Sequence, residues 1–510
     1  MALLQSKTAC YHISEELGSG SFGKVLKAQK KETGQLVAIK VIKNDLIRSR
    51  VIQNEIKLLN LISQVDPDTF HLVRFFEHFY VQDIFYFVFE LLQQNLYDYQ
   101  KGIQFAPVPI RHIRTITTQV LEALSKLKEL SIIHSDLKPE NIVLVDQVRY
   151  LFRVKVIDFG SASILSEVKD VKEPYIQSRY YRAPEILLGL PFCEKLDMWS
   201  LGCIIAELHF GYPLYPGRNE YDQIRYICET QGLPDNYLLS AASKAQFFFK
   251  NKVDTQRRIQ WRIKTKEEYE VATKVKPVEN RKYILKSIDQ VESMYTTKSC
   301  YPKSEVLAEC SDLRSMVQLM RRMLTWDSNK RINPIAAMKH PFISLKHLKV
   351  DHKYTKYYQL SMQCQYDATR EQMSYYNMPP ERRHGLWSPK YYQGQLMTDI
   401  TNGEKSEKMI EQMNRLNTKE STEEAQLKVK DEVTYHQKPA GHGGLPWARD
   451  NATLKILEDE TQQQDAVPPI DRVCGNTGKG KTVIEKCGAH SIKESVWRCK
   501  SLNGLDTSTR

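Results

Sequence analysis

The chain has 510 residues, 41% of them apolar and 26% charged, a balance that excludes fibrous and wholly disordered classes and leaves room for one large two-lobed domain plus an extension, or for three ordinary domains. Its net charge of +12 comes from dispersed Lys and Arg rather than one basic arm, which argues against nucleic-acid binding. Ten cysteines without a Cys-x-x-Cys pair or zinc-finger spacing read as reduced thiols, no signal-peptide core opens the chain, and the most apolar run, Ile84 to Leu92, is broken by Glu90 and too short to cross a bilayer, so a soluble intracellular protein, with no membrane contact, is expected.

Three strands open the chain after a ten-residue extension: HISEELGS from His12, FGKVLKAQK from Phe22 and QLVAIKVI from Gln35. The turn joining the first two is Gly18-Ser19-Gly20-Ser21-Phe22-Gly23. In a dinucleotide fold this pattern would open a helix; here Val25, Leu26 and Ala28 continue as a strand, which favours a hairpin lid whose amides approach phosphate oxygens. The third strand carries Lys40 in Val37-Ala38-Ile39-Lys40, and Ile52, Ile56, Leu59 and Ile62 then recur at helical spacing. Glu55 falls inside that apolar arc, where a carboxylate is costly unless paired; Lys40 is the natural partner.

His71 to Phe79 and Ile84 to Glu90 read as two more strands, making five, and Ile113, Ile116, Val120, Leu124 and Leu127 mark a long buried helix. The stretch His134 to Asn141, HSDLKPEN, is followed seventeen residues after Asn141 by Asp158-Phe159-Gly160. Phosphoryl transfer to a hydroxyl needs a carboxylate near the attacking oxygen and oxygen ligands that hold Mg²⁺ against phosphates. Asp136 can supply the first, Asn141 and Asp158 the second.

Beyond residue 344 the chain is rich in Lys, Glu, Gln, Thr and Asn with sparse apolar residues, so 344–510 is expected to be largely disordered apart from one helix near Ser406 to Leu416. Gly475 to Thr482, GNTGKGKT, satisfies a phosphate-loop pattern. Its flanks leave no room for the required sheet, so it is read as a chance match.

Together these motifs, spanning 11–343, resemble the eukaryotic protein kinases. DFGSAS from Asp158, YIQSRYYRAPE from Tyr175 and an extra segment at about 233–310 resemble the proline-directed branch and, within it, the homeodomain-interacting protein kinases. The resemblance implies an α+β fold in two lobes: a small one (11–92) with a five-stranded antiparallel sheet and one helix, and a large, mainly helical one (93–343). It implies ATP and Mg²⁺ as cofactors. The nucleotide would contact Leu17, Gly18 to Gly23, Val25, Ala38, Lys40 oriented by Glu55, and the hinge from Glu90 to Leu92. Asp136 would act as base, Lys138 would steady the transferred phosphoryl and mark Ser/Thr specificity, and Asn141 and Asp158 would hold the metal.

The same resemblance implies that Asp197 bonds the catalytic-loop backbone, that Arg331 pairs with Glu185, and that Tyr175 is autophosphorylated beside Arg179 and Arg182. One departure stands out. Ser135 replaces the arginine that usually precedes the catalytic Asp and reads a loop phosphate, so activation at synthesis is expected rather than reversible loop phosphorylation. Substrates would be proteins, transcription regulators among them, met by a monomer in the cytoplasm with the nucleus as a second compartment. The competing reading is a catalytically weak scaffold acting through its tail.

Overall fold

The computed structural model describes residues 3–20, 23–43, 48–168, 176–253, 259–293 and 302–369. The small lobe is an antiparallel sheet of six strands, in the order β1 (Leu3–Gln5), β2 (Cys10–Gly20), β3 (Gly23–Lys30), β4 (Leu36–Lys43), β6 (Ile84–Glu90) and β5 (Phe75–Val81), with helix α1 (Arg48–Ile62) beside it. This is one strand more than the sequence suggested. Residues 3–5, taken there as an extension, pair with residues 10–12 through a tight turn in which the Ser6 amide donates to Ala9 O (2.9 Å) and the Ser6 hydroxyl accepts from the Ala9 amide (2.9 Å). Tyr11 donates to Glu77 at 2.5 Å, as does Ser6 at 3.0 Å, tying the added strand to β5.

Strand alternation sets the lobe's chemistry. Val37 and Ile39 of β4 pack with Ala28, Tyr11 and Val88 in a small core. Ala38, Lys40 and Ile42 therefore face the other way, and Ile42 joins the main core. In α1, Ile52, Leu58, Leu59 and Ile62 are buried, and so is Glu55.

The large lobe starts with β7 (Gln94–Asn95), α2 (Leu96–Gly102), α3 (Ile110–Glu129) and β8 (Ile132–Ile133). Then come β9 (Ile142–Asp146), β10 (Tyr150–Val156), β11 (Ser163–Ile164), α4 (Leu165–Val168), α5 (Pro184–Leu188), α6 (Leu196–Phe210) and α7 (Glu220–Gln231). Helix α6 is buried on all sides, from Leu196 and Trp199 through Ile204, Ile205 and Phe210, which makes it the lobe's central post. The inserted segment is folded onto this frame. It comprises α8 (Asn236–Ala241), α9 (Ala245–Phe248), the hairpin β12 (Phe249–Val253) and β13 (Ile259–Ile263), α10 (Lys266–Thr273) and α11 (Gln290–Ser293). Tyr221 of α7 stacks on Tyr269 with centroids 4.2 Å apart, and the Tyr226 hydroxyl donates to Val278 O (2.8 Å) while accepting from the Asn280 amide (2.9 Å).

After α12 (Lys303–Met323), α13 (Pro334–Met338) and α14 (Pro341–Ser344), the helical chain continues through α15 (Lys346–Asp351) and α16 (Lys356–Thr369). The packed helical structure thus runs on past residue 343, into what the sequence suggested was a largely disordered tail. Leu345, Leu348 and Tyr357 pack on Ala308, and the Tyr357 hydroxyl donates to buried Asp312 (2.7 Å), which also pairs with buried Arg114 of α3. The expected disorder of the tail beyond Thr369, the helix near Ser406 and the 475–482 match lie outside the described residues.

Candidate active site

The strand register lays out the nucleotide side. Gly18 opposes Val25 and Val25 opposes Lys40, so the glycine-rich turn, Val25 and the lysine form one row across three strands. The glycines differ in purpose. A Cβ on Gly18 would meet nothing within 4 Å, leaving space for a ligand, whereas one on Gly23, at φ +137°, would lie 1.9 Å from Val41 O. Leu17 and Ser19 are exposed along the same hairpin; Ser21 and Phe22 lie outside the described residues. Ala38 opposes Phe89 on the next strand, at the mouth of the hinge, and Leu92 beyond it is half-buried.

The Glu90 side chain is engaged away from the slot. Its carboxylate accepts from the Arg74 amide and from fully buried Lys155 (both 2.6 Å), and Lys155 also reaches Asp68 at 2.7 Å. The side chain thus braces the hinge against β10, and the slot is left the backbone of Glu90.

Lys40 and Glu55 meet at 2.6 Å, and Asp158 completes the cluster at 2.9 Å from the same nitrogen. Burial works against charge on Lys40, but Asp158 and Glu55 outweigh it and hold the ammonium above its ordinary range. Burial likewise opposes charge on Asp158, and Lys40 overcomes it, keeping the carboxylate well below its usual range. Lys40 and Asp158 thus hold each other in their charged forms. Asp158 itself has φ +64°, and Gly160 leaves room for the cluster: a Cβ there would sit 3.2 Å from Asp158 Oδ1 and 3.3 Å from both Glu55 and Lys40. Phe159 turns the other way, buried edge-on against His134 with centroids 5.3 Å apart.

The catalytic stretch is held from beneath. Asp197, near the start of α6, accepts from the amides of His134 (2.9 Å) and Ser135 (3.0 Å); burial lifts its carboxyl to about 6. Asn141 donates to Asp136 O at 2.8 Å, which leaves its own amide oxygen available. The Asp136 carboxylate is flanked on both sides: Lys138 donates to Oδ2 at 2.7 Å, while the Ser178 amide and hydroxyl donate to Oδ1 at 3.0 and 2.7 Å. Burial opposes the Lys138 charge and Asp136 more than restores it. Below this, Arg331 grips Glu185 through two bonds of 2.7 Å.

Oxygen donors from one carboxylate and one amide suit Mg²⁺, which takes few protein ligands and completes its shell with water and phosphate. Among the described residues there is no cluster of three or more His, Cys, Asp or Glu of the kind that binds metal without a nucleotide. The donor set fits Mg²⁺ carried in with a polyphosphate.

Arg182 is buried, donating to Ile176 O (3.0 Å), to Gln177 O (2.9 and 3.3 Å) and to Glu220 (3.0 Å). Arg179 donates to Arg218 O at 2.6 Å. Tyr175 lies outside the described residues. Sequence reasoning missed Ser178, the Lys155–Glu90 brace and the bond from Tyr181 to Glu207 (2.6 Å). Only Ser178 left a trace, as a hydroxyl residue three positions after the tyrosine singled out.

A family model for the protein kinase domain matches residues 11–343. The chain belongs to the protein kinase family. This kinase is 60% identical over 366 residues to homeodomain-interacting protein kinase 4 of Mus musculus and 59% identical to that of Homo sapiens, an alignment covering 71% of this chain and 59% of each relative. It is 49% identical over 346 residues to homeodomain-interacting protein kinase 2 of Mesocricetus auratus, covering 68% of this chain and 29% of that relative. The kinase thus spans about three fifths of the length of the first relatives it matches.

Proposed function

We propose that the chain transfers the γ-phosphoryl group of ATP to Ser or Thr of protein substrates, with proline preferred after the acceptor. The observation that carries this reading is the assembled Lys40–Glu55–Asp158 cluster facing Asp136, whose two oxygens are oriented by Lys138 and Ser178. Lys40 would hold the nucleotide phosphates, Asp158 and Asn141 would hold Mg²⁺, and Asp136 would orient the substrate hydroxyl and take its proton. When bound, the metal would neutralise charge on the phosphates. A scaffold without activity would have no need of a lysine held between two acidic side chains opposite a third, oriented carboxylate.

The proline preference rests on Gln177. This residue adopts φ +65°, and its carbonyl is turned onto Arg182. Because the next residue, Ser178, bonds the catalytic carboxylate, Gln177 would flank a bound substrate just after its acceptor, where a peptide N–H would find no carbonyl; this supports the preference that the resemblance to the proline-directed branch implies. Proline has no N–H to leave unpaired. Tyr175, one residue before the Ile176 carbonyl held by Arg182, is proposed as an autophosphorylation site. Transcription regulators are proposed among the substrates, in keeping with the names of the relatives. A monomer acting in the cytoplasm, with the nucleus as a second compartment, is proposed.

The test is mass spectrometry of the protein made in bacteria, wild type beside Asp136→Asn, with a basic protein substrate and paired peptides carrying Ser-Pro or Ser-Ala. Phosphate on Tyr175 and on the Ser-Pro peptide in the wild type alone is the expected result. No transfer by folded, nucleotide-binding wild type would return the scaffold reading.

A further inference from the structure

Within the inserted segment one stretch carries a local excess of positive charge. Residues 244–286 hold thirteen Lys and Arg against five Asp and Glu, a net +8 out of the whole chain's +12. Its β12–β13 hairpin stands at the surface as a two-stranded sheet, with Lys250 opposite Arg262, Asn251 opposite Trp261, Lys252 opposite Gln260 and Val253 opposite Ile259. Alternation therefore gives it two unlike faces. Lys250, Lys252 and Arg262 share one. Asn251, Val253, Ile259 and Trp261 share the other, where Val253 is 67% and Ile259 41% exposed.

The two outer edges are not equivalent. Lys264 N donates to Phe248 O at 2.9 Å, which marks that pair as hydrogen-bonded. By alternation along the ladder, the backbone groups of Asn251 and Val253 on β12, and of Ile259 and Trp261 on β13, point outward. On the β13 side the Ile259 carbonyl accepts from Asn236 of α8 at 3.2 Å. On the β12 side no described residue bonds the backbone of Asn251 or Val253, and all of Lys250–Val253 is exposed.

An open edge of this kind invites another strand. A second copy of the hairpin would set lysine against lysine, so like charge opposes self-pairing. Lys250 and Arg262 already share Glu268, at 2.7 and 2.6 Å. Lys252 has no such partner among the described residues. We propose that the β12 edge is a docking site for an extended segment of a partner protein in which acidic and apolar residues alternate. Its main chain bonds Asn251 and Val253, its carboxylates face Lys252, and its apolar side chains lie beside Asn251 and Val253, on the face that carries Ile259. This site is separate from the phosphoryl-transfer chemistry and would raise the local concentration of substrates carrying such a segment.

The test uses the full chain and a labelled peptide of about ten residues alternating Glu and Val, read by fluorescence anisotropy, with phosphorylation of a short unlabelled peptide measured in parallel. Asn251→Pro deletes an outward N–H that the hairpin's own ladder does not use. It is expected to weaken binding about tenfold or more, with short-peptide phosphorylation unchanged, while Asn251→Ala binds like wild type. Lys252→Glu is expected to lose the Glu/Val peptide and to gain a Lys/Val peptide, an exchange that misfolding would not produce. The proposal is overturned if Lys252→Glu keeps its affinity for the Glu/Val peptide. It is equally overturned if a non-alternating acidic peptide or a single-stranded DNA oligonucleotide binds as tightly as the alternating one, since that would be bulk attraction of polyanions.

Discussion

At the scale of single residues, the catalytic carboxylate depends on a neighbour with no chemical step of its own. Ser178 supplies two of the three bonds that orient the Asp136 carboxylate. Ser178→Ala keeps the amide bond and loses the hydroxyl one. We expect kcat to fall by about tenfold, the value of roughly one charge-assisted hydrogen bond, with KM for ATP unchanged. Steady-state kinetics with both substrates varied would show it; a change confined to the KM for ATP would remove Ser178 from this role. Glu55→Gln acts on the other side of the cleft. Lys40 would keep only Asp158 as a charged partner, so the KM for ATP is expected to rise along with a loss of kcat, while the melting temperature changes little. Glu55 and Lys40 were legible in the sequence because a carboxylate in an apolar helical arc needs a cation. Ser178 was not, since a bond spanning forty-two residues leaves no periodic trace.

At the scale of elements, α6 serves as foundation and as a source of pH dependence. Glu207 sits near its end, where burial raises the carboxyl to about 8 despite the bond from Tyr181. The unfolded chain releases that proton near 4.5. Between those values the folded state holds one proton more, so this group's contribution is complete below about 4.5 and is lost as pH rises through about 8. The limiting slope is about 1.4 kcal/mol per pH unit. Glu207→Gln keeps an oxygen for the Tyr181 hydroxyl and removes the titration, so melting temperatures measured from pH 5 to 9 should fall less steeply in the variant. An identical slope would assign the titration elsewhere. The helix itself was plain in Asp197-Met198-Trp199-Ser200-Leu201-Gly202. Glu207 was hidden because an acid after nine mostly apolar residues looks like the start of an exposed face. The sixth strand of the small lobe escaped notice for a related reason: Leu3–Gln5 is too short to show alternation, and what secures it is the Ser6–Ala9 turn and distant Glu77.

At the scale of the whole molecule, the large lobe closes past the sequence motifs that define it. Polar composition after Phe342 hid α15 and α16, because α16 buries only a narrow stripe, Tyr357, Ser361, Cys364 and Ala368. That stripe covers the ion pair of Arg114 and Asp312, both fully buried. His347 of α15 reaches Asp312 at 3.1 Å and Glu305 accepts from the Tyr357 amide at 2.7 Å, so the two helices latch onto the first half of α12. A chain ending at 343 would expose this pair to water on one side and leave Asp312 without two of its partners, whereas one ending at 369 would keep every contact just named. The shorter protein is therefore expected to melt several degrees below the longer one. Tyr357→Phe in the full chain isolates one bond of the latch. Losing a hydroxyl from a buried carboxylate costs about 1–3 kcal/mol, and in a domain of this size that corresponds to a drop of about one to four degrees. Calorimetry on the three proteins decides the matter. If the chain ending at 343 melts with the one ending at 369, α15 and α16 are an appendage; if Tyr357→Phe alone reproduces part of the loss, they are the last structural layer of the kinase domain.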